Sequence, residues 1–327
     1  MTTCRRSFLG MLAAAAGAFA SDGTAAAGGR RLRLAVQMWS VEKLWKKDLP
    51  GTFAKLRAMG YEGVQSLAFL DQDRKLLEKA LKDNGLVVVD MPFRRKMMAP
   101  DKIGPYLEFC DQFGVKFVYD PWEPCKTADE WRKVADELAE LGTKLSARGM
   151  RVGYHNHRHE LETKYEGGVT PMDILADRGL PFELDVGHVK LGGGDPVAWL
   201  KRLAARGMRV GYHNHRHELE TKYAGGLTPM DILADRGLPF ELDVGHVKLG
   251  GGDPVAWLKR LAGRVPSIHA KPGGGNATGC AEDANDWSAI LPAARAAGAE
   301  WAVVECETRR DSFEDVDVSA KYLLPRI

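Results

Sequence analysis

Nine histidines, and the acids spaced around them, are the part of this sequence that could do chemistry. Four lie in one stretch: His155, His157, His159 and His188. Four lie in a second: His213, His215, His217 and His246. The ninth is His269, and the first 150 residues hold none. Imidazoles beside carboxylates are the donor pattern of a divalent metal site. Strand alternation says which of them can meet. Asp185 shares a strand face with Glu183, and His188 opens the loop beyond. His269 shares a face with Lys271, and Glu305 with Glu307. His155 and His157 share a face, with Glu160 just past the strand end. Glu160, Asp185, His269 and Glu305 therefore end four successive strands. Such a set suits Mn, Co, Zn or Mg, not a thiolate-bound ion. A bound ion of this kind polarises a carbonyl and acidifies the neighbouring C–H. A carboxylate or histidine can then move the proton.

These side chains need a scaffold that brings strand ends together. Branched apolar runs alternate with amphipathic stretches, the βαβα pattern of a parallel sheet. Expected strands are residues 32–38, 63–67, 86–91, 116–119, 151–157, 182–186, 209–215, 240–244, 267–271 and 302–305. Helical patterns between them include residues 128–147, 196–203 and 286–297. Gly60, Gly85, Gly114 and Gly298 stand where helices hand over to strands. The fold class is α/β, a (β/α)8 TIM barrel whose active site lies at the C-terminal strand ends.

Ten strands are two too many for that barrel, and the excess has a visible source. Residues 147–204 and 205–262 are tandem copies of 58 residues, differing only at Glu166/Ala224 and Val169/Leu227. Near-identity in two copies is not the pattern of a solenoid. With one copy and a leader of about 30 residues removed, roughly 240 remain, a typical TIM-barrel length. The expectation is an eight-stranded barrel over residues 31–327 with one block displaced, exposing apolar strands and inviting swapping or homo-oligomers. Either copy could supply the site.

Residues 1–30 read as an export leader. Arg5-Arg6-Ser7-Phe8-Leu9-Gly10 precedes a short apolar run ending Ala18-Phe19-Ala20, the pattern of a twin-arginine signal. The run is shorter than the roughly 20 residues of a permanent membrane anchor. The twin-arginine export machinery is thus an expected partner, and the periplasm or exterior the expected location. A net charge of +2 on 327 residues makes no electrostatic case for nucleic acid.

From about Leu32 to the C-terminus, and specifically from Arg151 onward, the chain resembles the xylose isomerase-like TIM barrels, also called sugar phosphate isomerases/epimerases. Tyr154-His155-Asn156-His157-Arg158-His159-Glu160 is similar to the family's YHNHxxEF segment. Phe182-Glu183-Leu184-Asp185-Val186-Gly187-His188 with Gly193-Gly194-Asp195-Pro196 is similar to its FELDxGW/H…GxDP segment. Ile268-His269-Ala270-Lys271 resembles its HVKD strand, Trp301-Ala302-Val303-Val304-Glu305 its last acidic strand, and Gln37-Met38-Trp39-Ser40 its first strand end. The resemblance implies a divalent metal held by Glu160, Asp185, His269 and Glu305, or by Glu218 and Asp243 in place of the first two. It implies that His188 or His246, with Lys271, contacts substrate oxygens. Glu160, Glu218 and Glu305 become the candidate proton carriers. His155, His157, His213 and His215 become candidate substrate contacts. Two departures stand out. The family's glutamate inside the fifth strand is replaced by Tyr154 or His155, and the acid after His-x-Lys is Pro272. The implied reaction is isomerisation or epimerisation of a free sugar or keto-sugar through an enediolate. A leaving group β to the carbanion would make the same site a lyase or dehydratase on a keto-sugar, keto-glycoside or keto-inositol. A barrel inactivated by its duplication is the non-enzymatic alternative.

Other features read more plainly. Trp39 and Trp122 end strands and are candidates for stacking on a sugar, whereas Trp199 and Trp257 follow a helical core pattern. Residues 192–194 and 250–252 lack the P-loop Gly-Lys-Ser/Thr, and the Asp-Pro after each starts a helix. Cys110, Cys125, Cys280 and Cys306 could form a disulfide in an exported protein, Cys110–Cys125 being nearest in sequence.

Overall fold

The computed structural model describes residues 31–65, 73–92, 94, 97, 99–115, 117–180, 182–205, 210–235, 237 and 239–327. The export-type leader lies outside them. All the expected strands form, slightly trimmed: β1 (Arg33–Gln37), β2 (Gly63–Gln65), β3 (Val87–Val88 and Met91–Pro92), β4 (Phe117–Asp120), β5 (Arg151–His155), β6 (Phe182–Asp185), β7 (Val210–His213), β8 (Phe240–Asp243), β9 (Ser267–Ala270) and β10 (Trp301–Val304). Every ladder is parallel. The order is β3-β2-β1-β10-β9-β8-β7-β6-β5-β4, and it returns to β3. The first half of β3 pairs with β2 and the second half with β4, so the sheet closes through that interrupted strand.

The ring therefore has ten strands among the described residues, and the expectation of eight with a displaced block is corrected. Both copies sit in the barrel wall, β5 and β6 from the first and β7 and β8 from the second. The reason lies in their outward faces. Phe182, Leu184, Phe240 and Leu242 are all essentially fully buried. Burying each such side chain contributes about 1.5–3 kcal/mol, and a displaced block would leave one set in water. Among the described residues the exposed apolar edge expected of such a block is accordingly not seen.

Local sequence builds the surrounding helices. Thr127 and Glu130 form a capping box at the start of Ala128–Ser146. Trp131, Val134, Ala135, Leu138, Leu141 and Leu145 recur at helical spacing along its buried face. Each copy repeats a shorter version, with Thr170/Asp173 opening Pro171–Asp177 and Thr228/Asp231 opening Pro229–Ala234. Gly85 and Gly114 end helices in the left-handed conformation. Asp253 caps Pro254–Arg260, so the Gly-rich turn before it is a helix junction. Trp199 and Trp257 are buried as expected. Among the described residues none of Cys110, Cys125, Cys280 and Cys306 is in a disulfide. No described helix is long and apolar enough to cross a membrane.

Candidate metal centre

The side chains at the mouth of β7 to β10 form one polar cluster. Phe240 and Leu242 turn outward to the helices, so Glu241 and Asp243 turn inward. Parallel register sets His213 opposite Glu241, Asp243 opposite His269, and His269 opposite Val303. Glu305 then stands two residues further toward the mouth. His213, Asp243, His269 and Glu305 each offer one ligand atom, all within 4.8 Å of one another. Four adjacent strands supply them, and neighbouring strands lie about 4.8 Å apart whatever the size of the ring. Ten strands therefore do not spread this group, contrary to what a wider barrel leads one to expect.

Asp243 shows how firmly the site is held. Its backbone N–H donates to Asn214 Oδ1 at 2.8 Å, and Asn214 Nδ2 donates to its carbonyl at 3.1 Å. Its Oδ1 accepts the N–H of His246 at 2.8 Å. Its buried Oδ2 accepts no hydrogen bond and faces the Lys271 ammonium at 3.1 Å as an ion-pair partner. An orphaned carboxylate oxygen beside two imidazoles and a second carboxylate fits a divalent ion of the Mn, Co or Zn kind.

Around this core lies a dense charge network. His269 Nδ1 is 2.8 Å from Glu305 Oε2, and its Nε2 is 2.9 Å from Gln65 Oε1 and 3.3 Å from Glu241 Oε2. Gln65 Nε2 donates to Glu241 at 2.6 Å from across the ring, and Ser267 Oγ donates at 2.8 Å. Lys271 Nζ is 3.2 Å from Glu305 and 2.9 Å from Glu307, and donates to His246 Nε2 at 3.0 Å. Burial alone would raise the carboxyl groups. For Glu305 this is outweighed by Lys271 and His269, and for Glu241 by His269 and His213, which hold both well below the usual range. Asp243 is brought to about 2, Lys271 again outweighing burial. Burial lowers His246 to about 3, so it is a neutral acceptor near pH 7. His269 and Lys271 are raised despite burial, by the acids that face them.

The remaining expected residues lie elsewhere. Glu160 and Glu218 do not join the four-residue group, which is a correction. Each opens a one-turn helix, and its Oε2 accepts the N–H three residues back, of His157 or His215, both at 2.8 Å. The side chain is thereby turned onto its own loop, and His213 takes the place the resemblance reserved for a glutamate. Glu160 Oε1 also accepts from Tyr154 Oη at 2.5 Å. Glu218 Oε1 accepts nothing, and burial lifts its carboxyl to about 7. Asp185 is not beside His269. It stands among His155, His188 and His215. His157 packs on His155 and His188, with ring centroids 5.1 and 4.7 Å away. Trp39 and Trp122 are both about half exposed. Trp39 lies beneath the Arg310 guanidinium, 3.2 Å from its ring centroid, and Trp122 beside His159.

Glu241 and Gln65 escaped the sequence reading. Glu241 sits two residues before Asp243 on the same face, so alternation alone could have found it. Gln65 is seen only once the ring is closed.

No protein-family model matches the chain. An inosose dehydratase of Bacillus thuringiensis (strain Al Hakam) is 31% identical over 119 residues, 36% of each chain. One of Geobacillus kaustophilus is 26% identical over 185 residues, 54% of this chain and 57% of the relative. The chain thus spans between about a third and somewhat over half of these curated relatives. Among solved structures, an AP endonuclease family 2 protein of Brucella melitensis superposes with a TM-score of 0.50 at 12% identity, over 90% of this chain and 98% of its own. A sugar phosphate isomerase/epimerase of Parabacteroides distasonis gives 0.48 at 19% identity, over 93% and 97%. The fold is that of the xylose isomerase-like TIM barrels.

Proposed function

We propose that the protein is a metal-dependent enzyme that moves a proton next to the carbonyl of a sugar or keto-sugar, giving isomerisation or epimerisation. The group His213, Asp243, His269 and Glu305, buried but for a half-buried His213, carries this reading, and the inosose dehydratase relatives agree with a carbohydrate substrate. A divalent ion held there would supply Lewis acidity to the substrate carbonyl. The chain's own groups do the rest. Glu241 and Gln65 face His269 Nε2 and so orient the ring, whose Nδ1 lies on the Glu305 side. Lys271 offers an ammonium to a developing oxyanion. Glu307, 44% exposed at the open side of Lys271, is placed to take or return a proton, with neutral His246 as its counterpart across Lys271.

Dehydration of a keto-inositol or keto-sugar is the second reading, favoured by the similarity to inosose dehydratases. Both readings begin with the same proton abstraction, and they part only if a hydroxyl leaves. Export through the twin-arginine route is part of the proposal and rests on the Arg5-Arg6 motif. It favours free sugars and glycosides over sugar phosphates.

The test is incubation of Mn- or Co-loaded protein with free ketoses, aldoses, 3-keto-glycosides and inososes in deuterated water. Deuterium in a recovered or isomerised sugar supports the first reading, and an unsaturated product the second. No exchange with any of them, in protein shown to carry metal at His269, would overturn both.

A further inference from the structure

Gln65 reaches across the inside of the ring. It ends β2, and β1 and β10 stand between that strand and β9. Its side chain nevertheless bonds both Glu241 on β8 and His269 on β9. Gln65 is only 3% exposed, so its amide nitrogen and oxygen must both find partners inside the protein.

The direction of each bond follows from what the groups can donate. An ionised carboxylate only accepts. Glu241 Oε1 accepts from Gln65 Nε2 at 2.6 Å and from Ser267 Oγ at 2.8 Å. The opposite placement of the amide would set two acceptor oxygens against each other at that separation. Gln65 therefore turns its Oε1 to His269, where an amide oxygen can only accept. The nitrogen 2.9 Å from it, His269 Nε2, must then carry a proton. Glu241 Oε2, 3.3 Å from the same nitrogen, favours the same proton. Nδ1 is left on the other side of the ring, 2.8 Å from Glu305 Oε2 and toward the other donors of the group. Glu241 Oε2 also lies 3.7 Å from His213 Nδ1, while His213 Nε2 lies 3.9 Å from Asp243 Oδ2. One carboxylate thus stands behind both imidazoles of the group, and Gln65 braces it from the opposite wall.

We infer that Gln65 is a positioning residue for the metal centre, keeping the proton on His269 Nε2 so that Nδ1 is the nitrogen presented to the ion. The inference rests on the metal reading of the proposed function. Without the brace the His269 ring could turn and either nitrogen could carry the proton, so fewer chains would be ready to bind. Losing such a partner of a ligating histidine lowers metal affinity by about 10- to 100-fold.

The experiment titrates Zn2+ into chelator-stripped full-length protein, parent and Gln65→Met, against a competing chelator. Met keeps the length of the side chain and removes the amide. Zinc per chain at saturation should match the parent, with a dissociation constant about 10- to 100-fold higher. A second measurement needs no variant and decides if Gln65→Met folds poorly. In parent protein with isotope-labelled histidine, loaded with spin-active cadmium, NMR coupling to the ion should show one imidazole bound through Nδ1 with its proton on Nε2. In Gln65→Met that protected Nε2 proton should exchange faster with water. Parent affinity in Gln65→Met, or no imidazole bound through Nδ1, overturns this inference and leaves the proposed function standing. No zinc bound by the parent overturns both. Weakened binding in Gln65→Met, with no deuterium exchange into any sugar by the loaded parent, supports this inference and removes that function.

Discussion

Asp185 and Asp243 end identical strands in near-identical segments, yet they live in different electrostatic worlds. Each has its Oδ1 capped by the histidine three residues on, and its backbone clamped by an asparagine. What differs is the next strand. Asp243 meets Lys271, with Glu305 and Glu307 beyond; Asp185 meets His215. His188 and His246, equivalent in sequence, stand at 32% and 11% exposure. Glu160 receives the Tyr154 hydroxyl, whereas Glu218 Oε1 is left unpartnered. Local sequence sets the cap and the strand face. The neighbour in the ring decides the chemistry.

The comparison breaks most visibly at the aspartates. Asp243→Asn should cut the rate of sugar deuterium exchange by about a thousand-fold, the several kcal/mol a bound metal supplies. Asp185→Asn should cost far less. Equal losses would mean that both copies serve the reaction. In urea denaturation, Leu184→Ala and Leu242→Ala should each cost about 3 kcal/mol, because both side chains are fully buried in the wall. If either cost under about 1 kcal/mol, that copy would not be in the barrel.

A third probe separates the glutamates. Glu218 titrates near 7 in the folded chain against an ordinary 4.5, so the fold favours its protonated form. Its contribution to stability is complete below about pH 4.5 and is lost as pH rises through 7. Glu218→Gln should therefore gain about 2 kcal/mol on the parent between about pH 5 and pH 8. Glu160→Gln, which leaves Tyr154 a carbonyl acceptor, should show a smaller pH dependence. The smallest effect belongs to Leu227→Val, which makes the copies more alike at an exposed position. Its melting temperature should reflect a change within about 0.5 kcal/mol.

Much of this was legible beforehand. All ten strands, the helix start at Asp253, and the inward face of Asp243, His269 and Glu305 follow from alternation and turn chemistry. The strand count of the barrel was not legible. A length argument removed one copy, but the buried faces of Phe182 and Leu184 need neighbours as much as those of Phe240 and Leu242. Glu160 and Glu218 misled because proximity to a strand end in sequence does not say which way a capping side chain turns.

By itself, then, the sequence determined the elements, their faces and the set of donors, because these depend on residues within a few positions of one another. Only the closed ring decided which aspartate meets a lysine and which a histidine, and that Gln65 reaches Glu241 and His269. Those contacts join residues 28 to 204 positions apart, depending on strand order and on a neighbour about 4.8 Å away across the sheet.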